Sequence, residues 1–305
     1  MIKYRQNKRE KKKRTKESYT EIKRNQKTLF DSKEYLMKNI KRLALIVSLL
    51  MSACMLCSCS NESADTNKDP QTEAATQTEY VAEPNPAEAG KLNLDFANGS
   101  SKWFTTADNY SNGDMFNVMW RKNNCTFENG KMQLIIDKDP LSTQIPYSGA
   151  EYRSKGFYGY GRYEVTMKAI KNNGVVSSFF TYTGPSDNNP WDEIDIEILG
   201  KDTTKVQFNY FTNGVGNHEY MYDLGFDASE DFHTYAFEWH KDKIVWFVDG
   251  KEAYTADQNL PVTPSKIMMN VWCGKGVDGW LNKFDDSNLP LTAEYQSISF
   301  TAFDE

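Results

Sequence analysis

From about residue 93 onward, runs rich in Val, Ile, Phe, Tyr and Thr recur at short intervals, cut apart by Gly, Asn, Asp and Pro. The clearest runs are 157–169, 174–183, 193–199, 205–212, 233–240, 266–272 and 294–303. Such runs are too short and too β-branched for core helices, and they read as strands. Residues 243–256 read as a hairpin turned at Asp249-Gly250, because glycine accepts the positive φ that a two-residue turn requires. No amphipathic helix longer than two turns is visible. Many short strands in one uninterrupted stretch predict an all-β fold, an antiparallel β-sandwich or barrel, spanning 93–305 as one domain.

The N-terminal part has a different texture. Residues 43–53, LALIVSLLMSA, are wholly apolar or small and follow Lys38, Lys41 and Arg42, as in an export signal. The apolar stretch to about Cys59 is short for a bilayer span, which needs about 20 residues. Leu56-Cys57-Ser58-Cys59 resembles a bacterial lipoprotein box, with Cys59 as the lipidated residue; Met51-Ser52-Ala53-Cys54 is a weaker match. An uncleaved anchor and plain secretion are the other readings. The expected organisation is a basic segment 1–36 upstream of a start at Met37, an export signal 37–59, and a disordered acidic tether 60–92 with almost nothing large and apolar. The domain is then extracytoplasmic, lipid-anchored at a bacterial cell surface or secreted, and meets a membrane only through that lipid.

Charge divides the chain the same way. Residues 1–42 carry a net +11, and the rest a net −17. An acidic body speaks against nucleic acid as partner, since phosphate binding needs a basic face. With only His218, His233 and His240, a His-rich metal site or a Ser-His-Asp triad is not expected.

The chemistry concentrates in Trp191-Asp-Glu-Ile-Asp-Ile-Glu-Ile-Leu-Gly200. On a strand, Glu193, Asp195 and Glu197 share one face, and Ile194, Ile196 and Ile198 the other. Like charges in a row raise at least one pKa, and a proton held near neutrality is what a general acid needs. Glu193 and Glu197 are roughly 13 Å apart at Cα for about 3.3 Å rise per residue. Side chains leaning together bring the carboxyls to about 5–6 Å, near the separation used by retaining glycosidases. Taken alone, such a stripe is also compatible with a cation site or a solvated face. Trp191, Phe180, Tyr182, Tyr110, Trp272 and Trp280 shift the balance. Any one of them is more simply a core residue, but as a set beside a carboxylate stripe they read as a polysaccharide cleft.

With these residues identified, the segments DNYSNGDMFN (108–117), AEYRS (150–154), YGYGRYEV (158–165), VSSFFTYTGP (176–185), WDEIDIEILGKDTTKVQFNY (191–210), GFDASEDFHTYAFEW (225–239) and PSKIMMNVW (264–272) resemble the bacterial lichenases of glycoside hydrolase family 16. The uninterrupted EIDIE is similar to the lichenase branch; laminarinases of the family carry an extra residue before the last Glu. The resemblance implies a concanavalin-like jelly roll with a concave cleft. It implies Glu193 as nucleophile, Glu197 as acid/base and Asp195 as the residue tuning both. It implies substrate contacts at Tyr110, Asn112, Phe116, Glu151, Arg153, Phe180, Tyr182, Trp191, Gln207, Asn209, Asn270, Trp272 and Trp280. Glu151 and Arg153 are equally readable as an ion pair within the sheet. The implied reaction is retaining endo-hydrolysis of β-1,4 bonds next to β-1,3 bonds in mixed-linkage β-glucan. Laminarin or xyloglucan as substrate, and a non-catalytic glucan-binding surface protein, are the alternatives. A monomer with no required cofactor is expected.

The chain departs from the family pattern in several places. A disulfide found in some members would fall on Val118 and Gly149 and is therefore absent. Cys125 and Cys273 read as free thiols. Phe211 stands where a tyrosine is common. The structural calcium of some members uses an Asp where this chain has Gln296, which leaves room for calcium but without a charge to hold it.

Overall fold

The computed structural model describes residues 84–304. The basic segment, the export signal with Cys54 and Cys59, and the tether up to residue 83 lie outside the described residues.

The runs condense into sixteen strands: β1 (Lys91–Asp95), β2 (Phe104–Thr106), β3 (Val118–Trp120), β4 (Cys125–Glu128), β5 (Lys131–Lys138), β6 (Tyr147–Ser154), β7 (Gly161–Lys168), β8 (Val175–Thr183), β9 (Asp192–Leu199), β10 (Lys205–Phe211), β11 (Tyr220–Asp223), β12 (His233–Trp239), β13 (Ile244–Val248), β14 (Lys251–Ala256), β15 (Lys266–Cys273) and β16 (Leu291–Ala302). The one α-helix among the described residues, α1, is a single turn at Asp278–Leu281. β1 begins at Lys91, and before it the Asn85 and Pro86 carbonyls accept from the backbone N–H groups of Ala89 and Lys91. The run 157–169 is not one strand. Tyr158 makes a separate bridge to Ser265, and β7 starts only at Gly161, where a side chain would strike Phe300 and the Thr301 carbonyl.

The strands lie in the order β11-β10-β9-β8-β15-β6-β5-β16-β7-β12-β13-β14, with β1 added to β16. This path folds on itself at the short β5–β6 pairing, Asp137↔Ser148 and Lys138↔Tyr147. The result is an inner sheet, β11 to β6, packed on an outer sheet, β5 to β14: an all-β antiparallel jelly roll. Alternation explains the packing. Ile194, Ile196 and Ile198 of β9 are fully buried, as are Phe179, Phe208, Phe237 and Trp246. Phe179 meets Phe237 at 6.1 Å, and Phe208 meets Trp246 at 5.6 Å between ring centroids, across the two layers. Two polar contacts also cross the core. Trp246 Nε1 donates to the Asp195 carbonyl at 3.1 Å, and the Tyr295 hydroxyl to the Ser178 carbonyl at 3.0 Å.

The hairpin forms as read: β13 and β14 turn at Asp249-Gly250, with φ of 47° and 74°. Cys125 and Cys273 are buried free thiols, and the Cys273 thiol faces the Asn117 carbonyl.

Candidate active site

The other face of the inner sheet lines a cleft of about 1190 Å³. Its floor is set by register. Residues directly opposite on paired strands share a face. A first row crosses the sheet as Met221, Gln207, Glu197, Ser178, Asn270 and Glu151, on β11, β10, β9, β8, β15 and β6. A second runs Asn209, Asp195, Phe180, Met268, Arg153 and Thr105. A third runs Phe211, Glu193, Tyr182 and Lys266. The three carboxylates of β9 therefore each lie in a different row. The pairing of β9 with both neighbours runs without a register shift, so the strand carries no bulge.

Every residue singled out from the sequence reaches this cleft: Tyr110, Asn112, Phe116, Glu151, Arg153, Phe180, Tyr182, Trp191, Glu193, Asp195, Glu197, Gln207, Asn209, Asn270, Trp272 and Trp280. The aromatics form two walls. Phe116 packs on Trp272 at 4.4 Å, and Trp272 on Trp280 at 5.9 Å. Opposite, Trp191 stacks on Phe211 at 4.6 Å with planes 15° apart. Phe211, read from the sequence only as a lost hydroxyl, thus serves as the backing of Trp191. Gly216 leaves room for that pair, since a side chain there would collide with the Phe211 ring.

The carboxylates have distinct partners. Trp191 Nε1 donates to Glu193 Oε2 at 2.5 Å, so Trp191 holds the carboxylate as well as offering an indole face. Gln207 Nε2 donates to Glu197 Oε2 at 2.7 Å, and Gln207 Oε1 in turn accepts from Trp280 Nε1 at 3.0 Å. Burial raises all three pKa values, and mutual repulsion adds to the rise at Asp195 and Glu197. Glu193 is pushed up to about 7, with the bond from Trp191 and one from Asp195 resisting. Glu197 goes higher, to about 8, because the charge of Glu193 adds to burial. Asp195 lies well above the usual carboxylate range, raised by burial and then by the charges of Glu193 and Glu197, and its side chain hydrogen-bonds Glu193. The two glutamates therefore have separate partners, Glu193 being held by Trp191 and Asp195, and Glu197 by Gln207.

At the far end of the first row, Glu151 is only 2% exposed and its pKa is raised by burial. Arg153 lies 3.3 Å away, so the ion pair forms, and both residues still line the cleft. The Tyr110 hydroxyl is 3.5 Å from the Glu151 carboxylate. Ser178 Oγ donates to Asn270 Oδ1 at 2.7 Å, which leaves the Asn270 amide N–H groups for Glu151. Asn112 accepts from Trp120 Nε1 at 3.1 Å. Asn209 has a buried Oδ1 without a protein partner.

Among the described residues, no group of three His, Cys, Asp or Glu side chains is arranged to hold a metal. Gln296 is exposed, at a register shift between Tyr295 and Ser297. The carboxylate nearest in sequence, Glu294, is already held by Lys131 at 2.5 Å and Lys168 at 2.7 Å.

Several lining residues escaped the sequence reading. Ser178 and Met268 sit on strands already identified, at positions of the same parity as Phe180 and Asn270. Lys266 pairs with Asp187 and lies 4.9 Å over the Phe157 ring. Glu219 comes from the loop before β11.

A family model describing glycosyl hydrolases family 16 matches residues 112–291, which hold all of these rows except Thr105. The chain belongs to glycosyl hydrolases family 16. Among members of the family, a "Beta-glucanase" of Acetivibrio thermocellus is 58% identical over 205 residues, covering 67% of this chain and 60% of that protein. This chain therefore spans less than two thirds of that relative. A "Beta-glucanase" of Bacillus subtilis is 53% identical over 217 residues, covering 70% of this chain and 88% of that one. A family 16 crystal structure, a prokaryotic beta-1,3-1,4-glucanase (lichenase) from a mouse hindgut metagenome, superposes with a TM-score of 0.68 at 52% identity. It covers 70% of this chain and 99% of its own.

Proposed function

We propose that this family 16 protein is a retaining endo-β-glucanase that cleaves β-1,4 bonds next to β-1,3 bonds in mixed-linkage β-glucan. The observation carrying the reading is the unbulged β9, whose Glu193 and Glu197 share one face yet have separate hydrogen-bond partners. Beta-glucanase relatives and the lichenase structure support the substrate class.

In this reading the Glu193 carboxylate attacks the anomeric carbon while Glu197 passes its proton to the leaving oxygen. Asp195 keeps its proton on the Glu193 side and spares the nucleophile a second negative neighbour. In the second half, Glu197 takes a proton from water, and the water oxygen displaces Glu193 from the sugar with net retention. The aromatic walls offer faces to sugar C–H groups, and Glu151, Arg153, Asn270 and Asn209 offer polar contacts along the floor. The carboxylates supply all the chemistry, so no cofactor is required, and a monomer suffices because the cleft is complete in one chain.

We further propose that Cys59 is lipidated and tethers the domain outside the cytoplasmic membrane, on the basis of Leu56-Cys57-Ser58-Cys59 after an apolar run.

Reducing-sugar release from barley β-glucan, laminarin, carboxymethyl-cellulose and xyloglucan tests the activity. Cleavage of barley β-glucan alone is expected, giving short oligosaccharides ending in a 3-linked unit. Release from laminarin or xyloglucan instead would overturn the substrate and keep the two glutamates.

A further inference from the structure

The residue before Glu193 is an acid that does not line the cleft. Alternation turns Asp192 away from Glu193, and it is 1% exposed at the start of β9. Its carboxylate accepts three backbone N–H groups. Oδ1 takes Asn213 at 2.9 Å, and Oδ2 takes Val262 and Thr263, each at 3.0 Å. Burial alone would raise its pKa, but these bonds outweigh burial and hold the carboxyl below its ordinary value. Asp192 is therefore a buried charge, and bonds to a charge are stronger than bonds between neutral groups.

The donors sit on two separate loops. Asn213 and Gly214, with φ of 51° and 76°, form the two-residue turn that follows β10. Gly214 N–H also donates to the Trp191 carbonyl at 2.7 Å, and a side chain on Gly214 would meet the indole at 3.5 Å. On the other loop, the Pro261 carbonyl accepts from Trp239 Nε1 of the outer sheet at 3.0 Å. Hydrogen bonds and chain thus run from the outer-sheet core through Pro261–Thr263, Asp192 and the turn to Trp191, whose Nε1 donates to Glu193.

Resting on the β-glucanase reading above, we propose that Asp192 is a positioning residue for the nucleophile: it clamps the Asn213-Gly214 turn and the Val262-Thr263 segment behind Trp191, and so keeps the indole N–H on Glu193. It touches neither the sugar nor the reacting atoms. In the cleft around Glu193 lie Asp195 and Glu197 on its own strand, Tyr182 on β8, the Lys266–Asp187 and Glu151–Arg153 pairs, and Glu219. None of these is altered in the variants below, so a moved titration reports the clamp.

The test is the pH profile of kcat/KM on barley β-glucan for wild type, Trp191→Phe, Asp192→Asn, Asp192→Glu and the double variant Asp192→Asn/Trp191→Phe, each checked for fold by circular dichroism. Removing the Asp192 charge favours an ionised Glu193 and by itself would lower the acidic limb. Releasing the indole raises it. The acidic limb of Asp192→Asn is expected to rise by about half a pH unit or more. The double variant is expected to rise no further than Trp191→Phe alone, because both changes remove the same interaction. Asp192→Glu keeps the charge and loses the geometry. Its acidic limb is also expected to rise, and it is the variant read if Asp192→Asn does not fold. An acidic limb that stays or falls in the folded variants, or a double variant whose shift is the sum of the single ones, overturns the positioning role and leaves Asp192 an anchor of the two loops only. A wild type inactive on barley β-glucan overturns the glucanase reading and the positioning role with it.

Discussion

Trp191→Phe separates two roles that meet in one side chain. The substitution keeps an aromatic ring on Phe211 and removes only the Nε1–H that donates to Glu193 at 2.5 Å. A hydrogen bond to a charged group contributes about 1.5–3 kcal/mol. Trp191 is 38% exposed, so solvent competes for the carboxylate and the lower end applies. About 1.4 kcal/mol corresponds to one pKa unit. The bond favours the charged form, so its loss raises the Glu193 pKa further above its ordinary value. The nucleophile must be ionised. The acidic limb of the kcat/KM profile should therefore move up by about one pH unit, while the basic limb stays. The limbs belong to the carboxylate set rather than to single residues, so the shift of the whole profile is what is read. The assay is initial-rate hydrolysis of barley β-glucan across pH, with circular dichroism confirming the fold. A uniform fall in kcat/KM at every pH, with both limbs in place, would refute the argument and leave Trp191 as a sugar platform only.

Gln207→Leu should move the opposite limb: it removes the bond that lowers the Glu197 pKa, so the basic limb rises, again by about one unit, in the same rate profile. Glu193→Ala and Glu197→Ala should each abolish normal turnover, and azide should rescue Glu193→Ala with an inverted glycosyl azide and Glu197→Ala with a retained one. A retained azide from Glu193→Ala, seen by NMR, would reverse the two roles. The raised Glu193, Asp195 and Glu197 carboxyls bind protons in the folded state that the unfolded chain has already released near its ordinary carboxylate range. Stability is thus expected to fall as pH rises from about 4.5 toward 8, and Asp195→Asn should flatten that slope in thermal melts. Ile196→Ala, at a fully buried position under the catalytic strand, should cost about 2–5 kcal/mol in chemical denaturation.

The face of β9 and the strand identities were legible because alternation is local: Ile194, Ile196 and Ile198 declared the core side, and the carboxylates the cleft side. The hairpin at Asp249-Gly250 was legible for the same reason, since the turn chemistry sits in two adjacent residues. The cross-strand rows were not. They depend on the order β9-β8-β15-β6, in which β15 is inserted between strands far from it in sequence. The same holds for partners. Gln207 and Trp280, relayed onto Glu197, lie 73 residues apart. Glu219 gave no signal because the neighbouring β11 is four residues long and three of them are exposed. β1 carries no clear strand signal because Lys91 and Asn93 are polar, and only pairing with β16 makes that segment a strand.

The two polar contacts through the core bear on how the domain unfolds. Trp246 and Tyr295 of the outer sheet hold the Asp195 and Ser178 carbonyls beneath the cleft floor. A region with such ties opens only when both layers part, so the catalytic strand belongs to the most cooperative unit of the domain and not to a frayed edge. Activity and fold should then disappear together on heating, with no dormant intermediate that has lost its site and kept its sheets.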